Sequence, residues 1–438
     1  MNNYLFKIYE FIKFKKKGFP LHPDKLKKLF DESQSWSRER TESYQLDKLN
    51  YLLDVVKNSS AYYAEKFNEM ELPLKSIDQF ESETALIDKR KIINHFENLK
   101  TDYYSSQFKH ATSGTTGDPM LVYISGISEV YRAACHRRFH NWWGIKENEK
   151  NVYIARKNSN LKKTILSRLK MYLRRRLDID VFDLNDKTII NYYKEIEKFR
   201  PTYIRGYKSG VLEFAELLDK FNLKLKNIKL KVVIVTSEVL YENERKYIER
   251  ILDCKVANEY GSVEAGVYAN ECPDGSMHIN EETIYMYTND RNEAIVTELY
   301  NDSIPLINYK NDDIITISDK YCSCGRTSRI IDEVKGRVSG YIVKTNGTKI
   351  NQVILPIIFM ELNEGKFKES VKKFQVIQRY DKFIVKIIPL NNFNDSCKEY
   401  IRKRFFEEIG FDIEIKFEIV ESIERDKSGK FRIFIRHD

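Results

Sequence analysis

The strongest local indication of a functional site in this 438-residue chain is a loop rich in hydroxyl and glycine residues, Ser113-Gly114-Thr115-Thr116-Gly117. Glycines let backbone N–H groups approach a phosphate closely, and the serine and threonine hydroxyls donate further hydrogen bonds. The loop lacks the Gly-Lys-Ser/Thr ending of a Walker A motif. Standing alone, such a string is better explained as an ordinary flexible turn, so its meaning depends on the motifs elsewhere in the chain.

Further groups of polar residues lie beyond this loop in the sequence. Taken singly, an exposed Glu, Asp or Lys is usually a solvated side chain, so only the ordered set indicates a function. The set comprises Ser237-Glu238, Tyr260-Gly261-Ser262-Val263-Glu264, the stretch from Pro305 to Asp313, Gly336-Arg337-Val338-Ser339, and Lys427-Ser428-Gly429-Lys430 near the C-terminus.

A second set of residues, Cys272, His278, Cys322 and Cys324, has the composition of a closed, tetrahedral zinc site. Cys272 and His278 flank a turn-forming Pro-Asp-Gly, and Cys322 and Cys324 offer two thiolates from one loop. The spacing is less standard than that of paired C-x₂-C motifs. The alternative is that these residues are buried thiols in unrelated places.

The elements around these motifs indicate an α/β protein with a second, smaller domain. Residues 1–100 are mainly helical and charged, and short apolar strands alternate with helical stretches from about 100 to 335. After Arg337, two hairpins and two helices suggest a compact α+β module of ordinary domain size. We therefore expect a large domain at residues 1–337, with residues 1–100 as a helical lead-in, and a small domain at residues 338–438.

Composition narrows the classes of partner. The net charge of +9 suits a polyanionic ligand, although a Lys-, Asn-, Ile- and Tyr-rich composition gives it by default. Lys7, Glu10 and Lys13 interrupt any signal-peptide core, and six cysteines make no disulfide scaffold in a chain of this length, so we expect a reduced, cytoplasmic setting. A basic amphipathic helix over 161–177 predicts at most peripheral membrane contact, with packing on the core favoured.

In their order, the polar motifs resemble those of the adenylate-forming superfamily of acyl-CoA synthetases, in particular the branch of phenylacetate–CoA ligases and capsular-polysaccharide-biosynthesis proteins. Three segments look like that branch: Glu271-Cys272-Pro273, His278 to Glu282, and Cys322 to Arg326. The resemblance covers nearly the whole chain from about residue 30. It implies a large adenylate-forming domain with mixed sheets and helices, and a small, mobile α+β C-terminal domain.

The resemblance also implies nucleotide-binding roles. The loop formed by Ser113, Gly114, Thr115, Thr116 and Gly117 would hold the β- and γ-phosphates of ATP. The adenine pocket would be formed by Ser237, Glu238, Tyr260 and Gly261, with Ser262 next in the same motif.

Four single residues complete the implied site. Glu264 would hold Mg²⁺, which suits a hard carboxylate beside phosphate oxygens. Asp313 would accept from the ribose hydroxyls, with Arg337 beside it. Lys430 would stabilise charge as the substrate carboxylate attacks the α-phosphate.

The chain departs from the family pattern at several positions. Ser339-Gly340 stands where relatives often carry Asp at the pivot between domains, and small residues at a pivot absorb the φ/ψ changes of a domain rotation. Asn308 replaces a common Arg, Asp312 a common Gly and Met120 a common Lys. None of these removes a residue central to adenylation.

The implied function is ATP-dependent activation of a small carboxylic or amino acid to acyl-AMP, with release of pyrophosphate. The acyl group would pass to CoA, or to an amine or hydroxyl of a sugar or carrier in polysaccharide biosynthesis. The alternative is a zinc-stabilised basic binding module without ligase activity. No basic stripe with interleaved aromatics adjoins the cysteines, so nucleic acid is not expected as a partner. A homodimer is left open. The stretch with His136, His140, Trp142 and Trp143 would either line the acyl pocket or pack a helix, and packing is favoured.

Overall fold

The computed structural model describes residues 19–104, 107–111, 120–156, 173–337, 341–344, 346–352, 354–365, 367–410, 413–426 and 429–437. The chain divides into two compact units. The large unit covers Met1–Asn311 and Ile315–Val334, and the small unit covers Asp312–Ile314 and Lys335–Asp438. The domain boundary expected after Arg337 stays a prediction.

Helices dominate the first part of the large unit. The Ser37 hydroxyl accepts from the Arg40 N–H at 3.3 Å and caps the longest of them, whose buried Leu and Val side chains enter the core. The buried Gln45 amide donates to the carbonyl of Glu281 at 2.9 Å, which ties this helix to the rest of the unit. The α-helices are α1 Lys27–Glu32, α2 Arg38–Ser59, α3 Ala61–Lys66, α4 Ile77–Glu83 and α5 Lys89–Asn94, with 3₁₀ turns at Pro23–Leu26 and Ser33–Ser35.

A sheet of eleven strands runs through the large unit in the order β10-β11-β12-β13-β9-β8-β7-β6-β5-β3-β4. A separate antiparallel pair is formed by β1 Gln107–Ala111 and β2 Leu121–Ser125. The strands of the large sheet are β3 Asn151–Ala155, β4 Arg176–Asp180, β5 Tyr203–Tyr207, β6 Val232–Thr236, β7 Val256–Ser262, β8 Gly266–Glu271, β9 Met277–Ile279, β10 Ile284–Thr288, β11 Glu293–Glu298, β12 Tyr309–Ser318 and β13 Ile330–Arg337.

The strands from β3 to β7 are parallel, and β6 is buried on both faces. Alternation along β6 sends Val233 and Val235 to one face and Val232 and Ile234 to the other. The first face packs against α7 Ile189–Phe199, α8 Lys208–Lys220 and α9 Glu242–Leu252, and the second against Phe139 of α6 Gly126–Trp142. Ligands of open α/β sheets bind beyond the carboxyl ends of such strands, so this edge is where a site is expected.

One predicted helix is shorter than expected. The basic helix over 161–177 lies largely outside the described residues, but Leu177 belongs to β4 and not to a helix. Arg175 adopts a left-handed conformation, with φ of 53°, just before the strand begins. Such a residue ends a helix, because it turns the chain out of the helical path. No helix among the described residues is long and apolar enough to cross a membrane.

The small unit is built on a four-stranded sheet in the order β18-β17-β16-β19. Its helices α10 Ile354–Glu364 and α11 Asp395–Glu408 contribute Phe359 and Phe405 to a buried core. A predicted hairpin is present, since β14 pairs with β15 across the Asn346-Gly347 turn. The strands are β14 Tyr341–Val343, β15 Lys349–Asn351, β16 Val371–Arg379, β17 Lys382–Pro389, β18 Glu414–Ile419 and β19 Phe434–His437.

Candidate nucleotide site and metal centre

Two predicted adenine-pocket residues lie at the carboxyl ends of neighbouring parallel strands. Thr236 at the end of β6 pairs with Glu259 of β7. Ser237 and Tyr260 each come one residue later, so the two lie side by side at this edge of the sheet. Ser237 is exposed and has a φ of 75°, so the chain turns sharply where β6 ends.

The ring of Tyr260 is held in one orientation by its neighbours. Its centroid lies 5.1 Å from that of Tyr268, with the two planes at 76°. Its hydroxyl accepts from the Asn311 side-chain amide at 3.3 Å. A half-buried aromatic ring fixed in this way offers a flat surface suited to stacking a nucleotide base.

The hairpin formed by β7 and β8 requires a glycine near the end of β7. A Cβ atom on Gly261 would lie 2.4 Å from the carbonyl oxygen of Gly266, closer than any side chain allows. The hydroxyl of Ser262 accepts from the Ala265 N–H at 3.1 Å and from the Tyr268 hydroxyl at 2.7 Å. Close backbone approach and these two bonds define the shape of the turn.

The carboxylate proposed to hold Mg²⁺ belongs to this turn. Glu264 is half-buried, and its Oε1 accepts from the hydroxyl of Tyr309 at 3.1 Å. Tyr309 and Asn311 both lie on β12, so one strand contacts both Glu264 and Tyr260. Neither Tyr309 nor Asn311 received a role from the sequence, although both lie within the singled-out stretch from Pro305 to Asp313.

Glu238 is engaged with the protein rather than pointing freely at the strand edge. Its carboxylate accepts from the Ser209 N–H at 2.6 Å and from the Ser209 hydroxyl at 2.9 Å. Ser209 lies in the first turn of α8, where unpaired N–H groups favour an anion. Glu238 therefore fixes the turn after β6 to the N-terminus of this helix.

Of the remaining predicted nucleotide residues, the structure describes Asp313 and the backbone of Arg337. Asp313 is buried on β12, and Arg337 ends β13 with its side chain outside the described residues. The loop from Ser113 to Gly117 and the Ser339-Gly340 pair also lie outside them.

The departures from the family pattern have local explanations. Asp312 has a φ of 65°, the left-handed conformation that a glycine adopts without strain. Asn308 is fully buried and donates to the carbonyl of Thr84 at 3.3 Å. Met120 is buried in the large apolar core.

In the small unit, Lys430 ends a tight turn organised by Asp426. Asp426 Oδ1 accepts from the Lys430 N–H at 3.1 Å, and Oδ2 accepts from Arg432 Nε at 2.9 Å. The backbone closes the same turn, because the Asp426 N–H donates to the Lys430 carbonyl at 2.9 Å. The turn that carries Lys430 is thus shaped by contacts within the small unit.

Cys272, His278, Cys322 and Cys324 come together in the large unit, with all four ligand atoms within 4.8 Å of one another. Cys272 Sγ lies 3.6 Å from Cys322 Sγ, and Cys324 Sγ lies 3.2 Å from His278 Nε2. A tetrahedral zinc with Zn–S bonds of ~2.3 Å separates two sulfurs by about 3.8 Å. Both the donor set and its dimensions therefore fit a zinc ion.

The surroundings of this cluster influence the protonation of its ligands. The Nδ1 atom of His278 lies 3.2 Å from the Ser328 hydroxyl, which leaves Nε2 facing the thiols. Burial, and then Arg326, lower the pKa of His278 to about 4, so the ring is neutral as ligation requires. Burial raises the pKa of Cys272 to about 12, whereas hydrogen bonds outweigh burial and lower the pKa of Cys322.

The cluster joins separate strands and loops. Cys272 comes directly after β8, and His278 lies on β9. His278 pairs with Asn270 of β8 on one side and with Ile330 of β13 on the other. Gly325, with a φ of 79°, bends the chain directly after Cys324. Residues fifty positions apart in the sequence are thereby brought to one point.

The stretch from His136 to Trp143 packs its helix against the sheet. The Trp143 indole donates to the carbonyl of Glu271 at 3.0 Å, and His140 lies 5.3 Å from Tyr203 between ring centroids. Burial, together with His136, lowers the pKa of His140 to about 3. His136 and Arg205 both contact the buried Glu259 carboxylate. Burial alone would raise the pKa of Glu259, but the charges of Arg205 and His136 outweigh burial and hold this pKa well below its usual range.

The small unit matches a known protein family. Residues 342–437 match the family model of the CapK C-terminal domain. These residues of the small unit are therefore similar to CapK C-terminal domains. The chain is 24% identical over 398 residues to Protein CapK of Staphylococcus aureus, covering 87% of this chain and 86% of that protein. It is also 24% identical over 258 residues to phenylacetate–coenzyme A ligase of Thermus thermophilus, covering 54% of each.

Solved structures give the fold of the whole chain. A crystal structure of 2-hydroxyisobutyryl-CoA ligase in the postadenylation state matches with a TM-score of 0.72 and 15% identity, covering 93% of this chain and 92% of that one. The chain therefore has the fold of an adenylate-forming ligase with a C-terminal domain. This confirms the predicted fold class and the predicted relationship to the CapK and phenylacetate–CoA ligase branch.

Proposed function

We propose that this protein is an adenylate-forming carboxylate ligase, which activates a small carboxylic or amino acid with ATP. The observation that carries the proposal is the turn from Tyr260 to Glu264, placed at the carboxyl edge of the parallel strands and contacted by Tyr309 and Asn311 of β12. An oriented aromatic ring and a half-buried carboxylate at that edge suit a base and a metal-bound phosphate.

The first half-reaction makes a mixed anhydride. A substrate carboxylate oxygen attacks the α-phosphorus of ATP, the bond from that phosphorus to the oxygen bridging the β-phosphate breaks, and pyrophosphate leaves with the bonding electrons. Tyr260 and Ser237 would bind the adenosine, with Asp313 and Arg337 at the ribose. Lys430 would stabilise the developing negative charge, which is greatest in the transition state. The loop from Ser113 to Gly117 would hold the departing phosphates.

Glu264 would hold a Mg²⁺ ion, which neutralises phosphate charge when bound. The residues present fit this ion, because a carboxylate oxygen is a ligand that Mg²⁺ prefers. The Tyr309 hydroxyl would orient that carboxylate through the bond to Oε1. The Gly261 backbone would keep the turn close to β8.

In the second half-reaction, a nucleophile attacks the acyl carbon, AMP leaves, and the nucleophile loses a proton. A CoA thiol is one acceptor, and the related 2-hydroxyisobutyryl-CoA ligase has been crystallised with its acyl-AMP and CoA. The other acceptor we propose is an amine or hydroxyl of a sugar or carrier, with a role in polysaccharide biosynthesis in the cytoplasm, which the resemblance of the sequence motifs to those of capsular-polysaccharide-biosynthesis proteins favours.

We propose that Cys272, His278, Cys322 and Cys324 hold a structural zinc ion, which has no part in either half-reaction. Four protein ligands close the coordination sphere, so no position remains for a substrate. The ion would brace β8, β9 and the loop before β13.

The proposal is tested by ATP–pyrophosphate exchange with panels of carboxylic and amino acids. Label should pass from pyrophosphate into ATP only when a fitting acid is present, and addition of CoA should convert the adenylate to a thioester if CoA is the acceptor. No exchange with any acid, while the purified protein is folded, would favour the alternative of a zinc-stabilised binding module. Exchange that does not depend on the acid would refute a carboxylic or amino acid as the substrate.

A further inference from the structure

A buried ion pair lies directly behind the turn that carries Glu264. Arg132 of α6 donates from Nε to Glu298 Oε1 and from Nη2 to Glu298 Oε2, both at 2.7 Å. The Glu298 side chain is 4% exposed and that of Arg132 13%. The fork of the guanidinium thus matches both oxygens of the carboxylate, a geometry that lysine cannot reproduce.

The other side of the same guanidinium contacts the turn itself. Arg132 Nη1 donates to the carbonyl of Val263 at 2.9 Å, and Nη2 donates to the carbonyl of Glu264 at 3.4 Å. These carbonyls belong to a turn whose Val263 side chain is 42% exposed, so packing does not fix it. Arg132 therefore links a buried carboxylate to two consecutive peptide groups of an otherwise exposed segment.

The surroundings of the pair favour this single arrangement. The Ser128 hydroxyl, one helical turn before Arg132, donates to Glu298 Oε1 at 2.5 Å. Gly266 leaves room for the guanidinium, because a Cβ there would lie 3.2 Å from both Arg132 Nε and Glu298 Oε1. Glu298 ends β11 in the large sheet, so the anchor of the clamp is a rigid strand.

We infer that Arg132, held by Glu298, is a positioning residue for Glu264 and sets its affinity for a divalent cation. This inference rests on the proposed function of Glu264. The Glu264 backbone is held by Arg132 and its side chain by the Tyr309 hydroxyl, so the carboxylate is fixed from both ends. Loss of either contact lets the carboxylate leave the geometry that a small cation demands.

The test measures cation binding without catalysis. Mn²⁺ replaces Mg²⁺ as a probe for electron paramagnetic resonance, in the presence of an ATP analogue whose α,β-bridge is a methylene group and cannot be cleaved. Arg132→Lys should raise the Kd of Mn²⁺ in the ternary complex about tenfold, as loss of a contact behind a metal ligand does. In pyrophosphate exchange, the same variant should need a similarly higher Mg²⁺ concentration, while the KM of the acid stays unchanged.

Arg137→Lys is the matched control. Arg137 lies on the same helix, is 17% exposed and pairs with Glu147 at 3.1 Å, away from the turn. Its substitution should lower stability by an amount comparable to Arg132→Lys and leave the Mn²⁺ Kd unchanged. If Arg132→Lys does not fold, Ser128→Ala removes only one hydrogen bond to Glu298 and should still raise the Kd about twofold to threefold.

Each outcome is decisive. An unchanged Mn²⁺ Kd in Arg132→Lys, or in Ser128→Ala where that variant stands in, would overturn the inference, as would equal shifts in Arg137→Lys. The same holds if the wild type binds no more Mn²⁺ than the nucleotide alone does. If the Mn²⁺ Kd rises in Arg132→Lys but not in Arg137→Lys while the wild type shows no acid-dependent exchange, the proposed ligase is refuted and the positioning role is supported.

Discussion

Removal of a zinc ligand is the sharpest test of the cysteine–histidine cluster. Cys324→Ser replaces a sulfur that lies 3.2 Å from His278 Nε2 by an oxygen that binds zinc less well. Purified wild-type protein should contain about one zinc per chain by mass spectrometry, and the variant much less, because a closed site depends on all four ligands.

The effect on stability is a consequence of linkage. A site loaded at about a thousand times its Kd stabilises the folded state by about 4 kcal/mol. Domains of 150–250 residues lose roughly 2–4 °C of melting temperature per kcal/mol, and a larger unit less, so we expect a decrease of about 8 °C. A chelator added to the wild type should produce a decrease of the same size, and zinc should restore it.

The control is Cys254→Ser, which changes a half-buried thiol outside the cluster. It should leave the zinc content at the wild-type value. Wild-type protein that is free of zinc and fully stable would refute the reasoning, and so would a Cys324→Ser protein that keeps its zinc. Neither result would bear on adenylation, because the cluster has no assigned part in it.

Three further predictions concern the reaction and the packing. Lys430→Ala should leave the melting temperature nearly unchanged and reduce pyrophosphate exchange by about two or more orders of magnitude, and normal exchange would end its assignment. Gly261→Ala should cost about 1–3 kcal/mol, because its Cβ would lie 2.4 Å from the Gly266 carbonyl, and should raise the KM for ATP; a wild-type KM would contradict the role of that turn. Because folding lowers the pKa of His140, the unfolded chain takes up a proton at a higher pH than the folded protein does. Stability should therefore fall as the pH drops below about 6.5. His140→Gln should flatten this acid limb in melting curves, and a limb as steep as that of the wild type would contradict the reasoning.

Much of the fold could be read from the sequence because local patterns determine it. An uninterrupted apolar run from Val232 to Val235 predicted a buried strand, and the Asn346-Gly347 turn predicted a hairpin. Both are present. The predicted end of the basic helix was wrong. The four-residue spacing of leucines continues to Leu177, but the left-handed conformation of Arg175 ends the helix earlier. Periodicity does not reveal where a backbone turns.

The sequence predicted only those site residues whose side-chain type itself indicates a chemical role. Three cysteines and a histidine specify a metal by their donor atoms, even though their spacing is unusual. Arg132 and Tyr309 carry no such signal, because a charged residue on a helix and a tyrosine on a strand are ordinary. Their contacts with the Glu264 turn depend on the packing of α6 and β12 around it, which only the fold supplies.

The contacts that β12 makes imply that two affinities of this protein cannot be tuned independently. Tyr309 and Asn311 lie two residues apart on one strand, and between them they hold the carboxylate of Glu264 and the ring of Tyr260. A displacement of that strand moves both anchors at once, so base recognition and cation recognition should weaken in parallel. Among variants of the core residues that pack against β12, the apparent affinity for adenosine should therefore correlate with the apparent affinity for the divalent ion. A change of base preference alone would have to come from the neighbouring strand end, at Ser237.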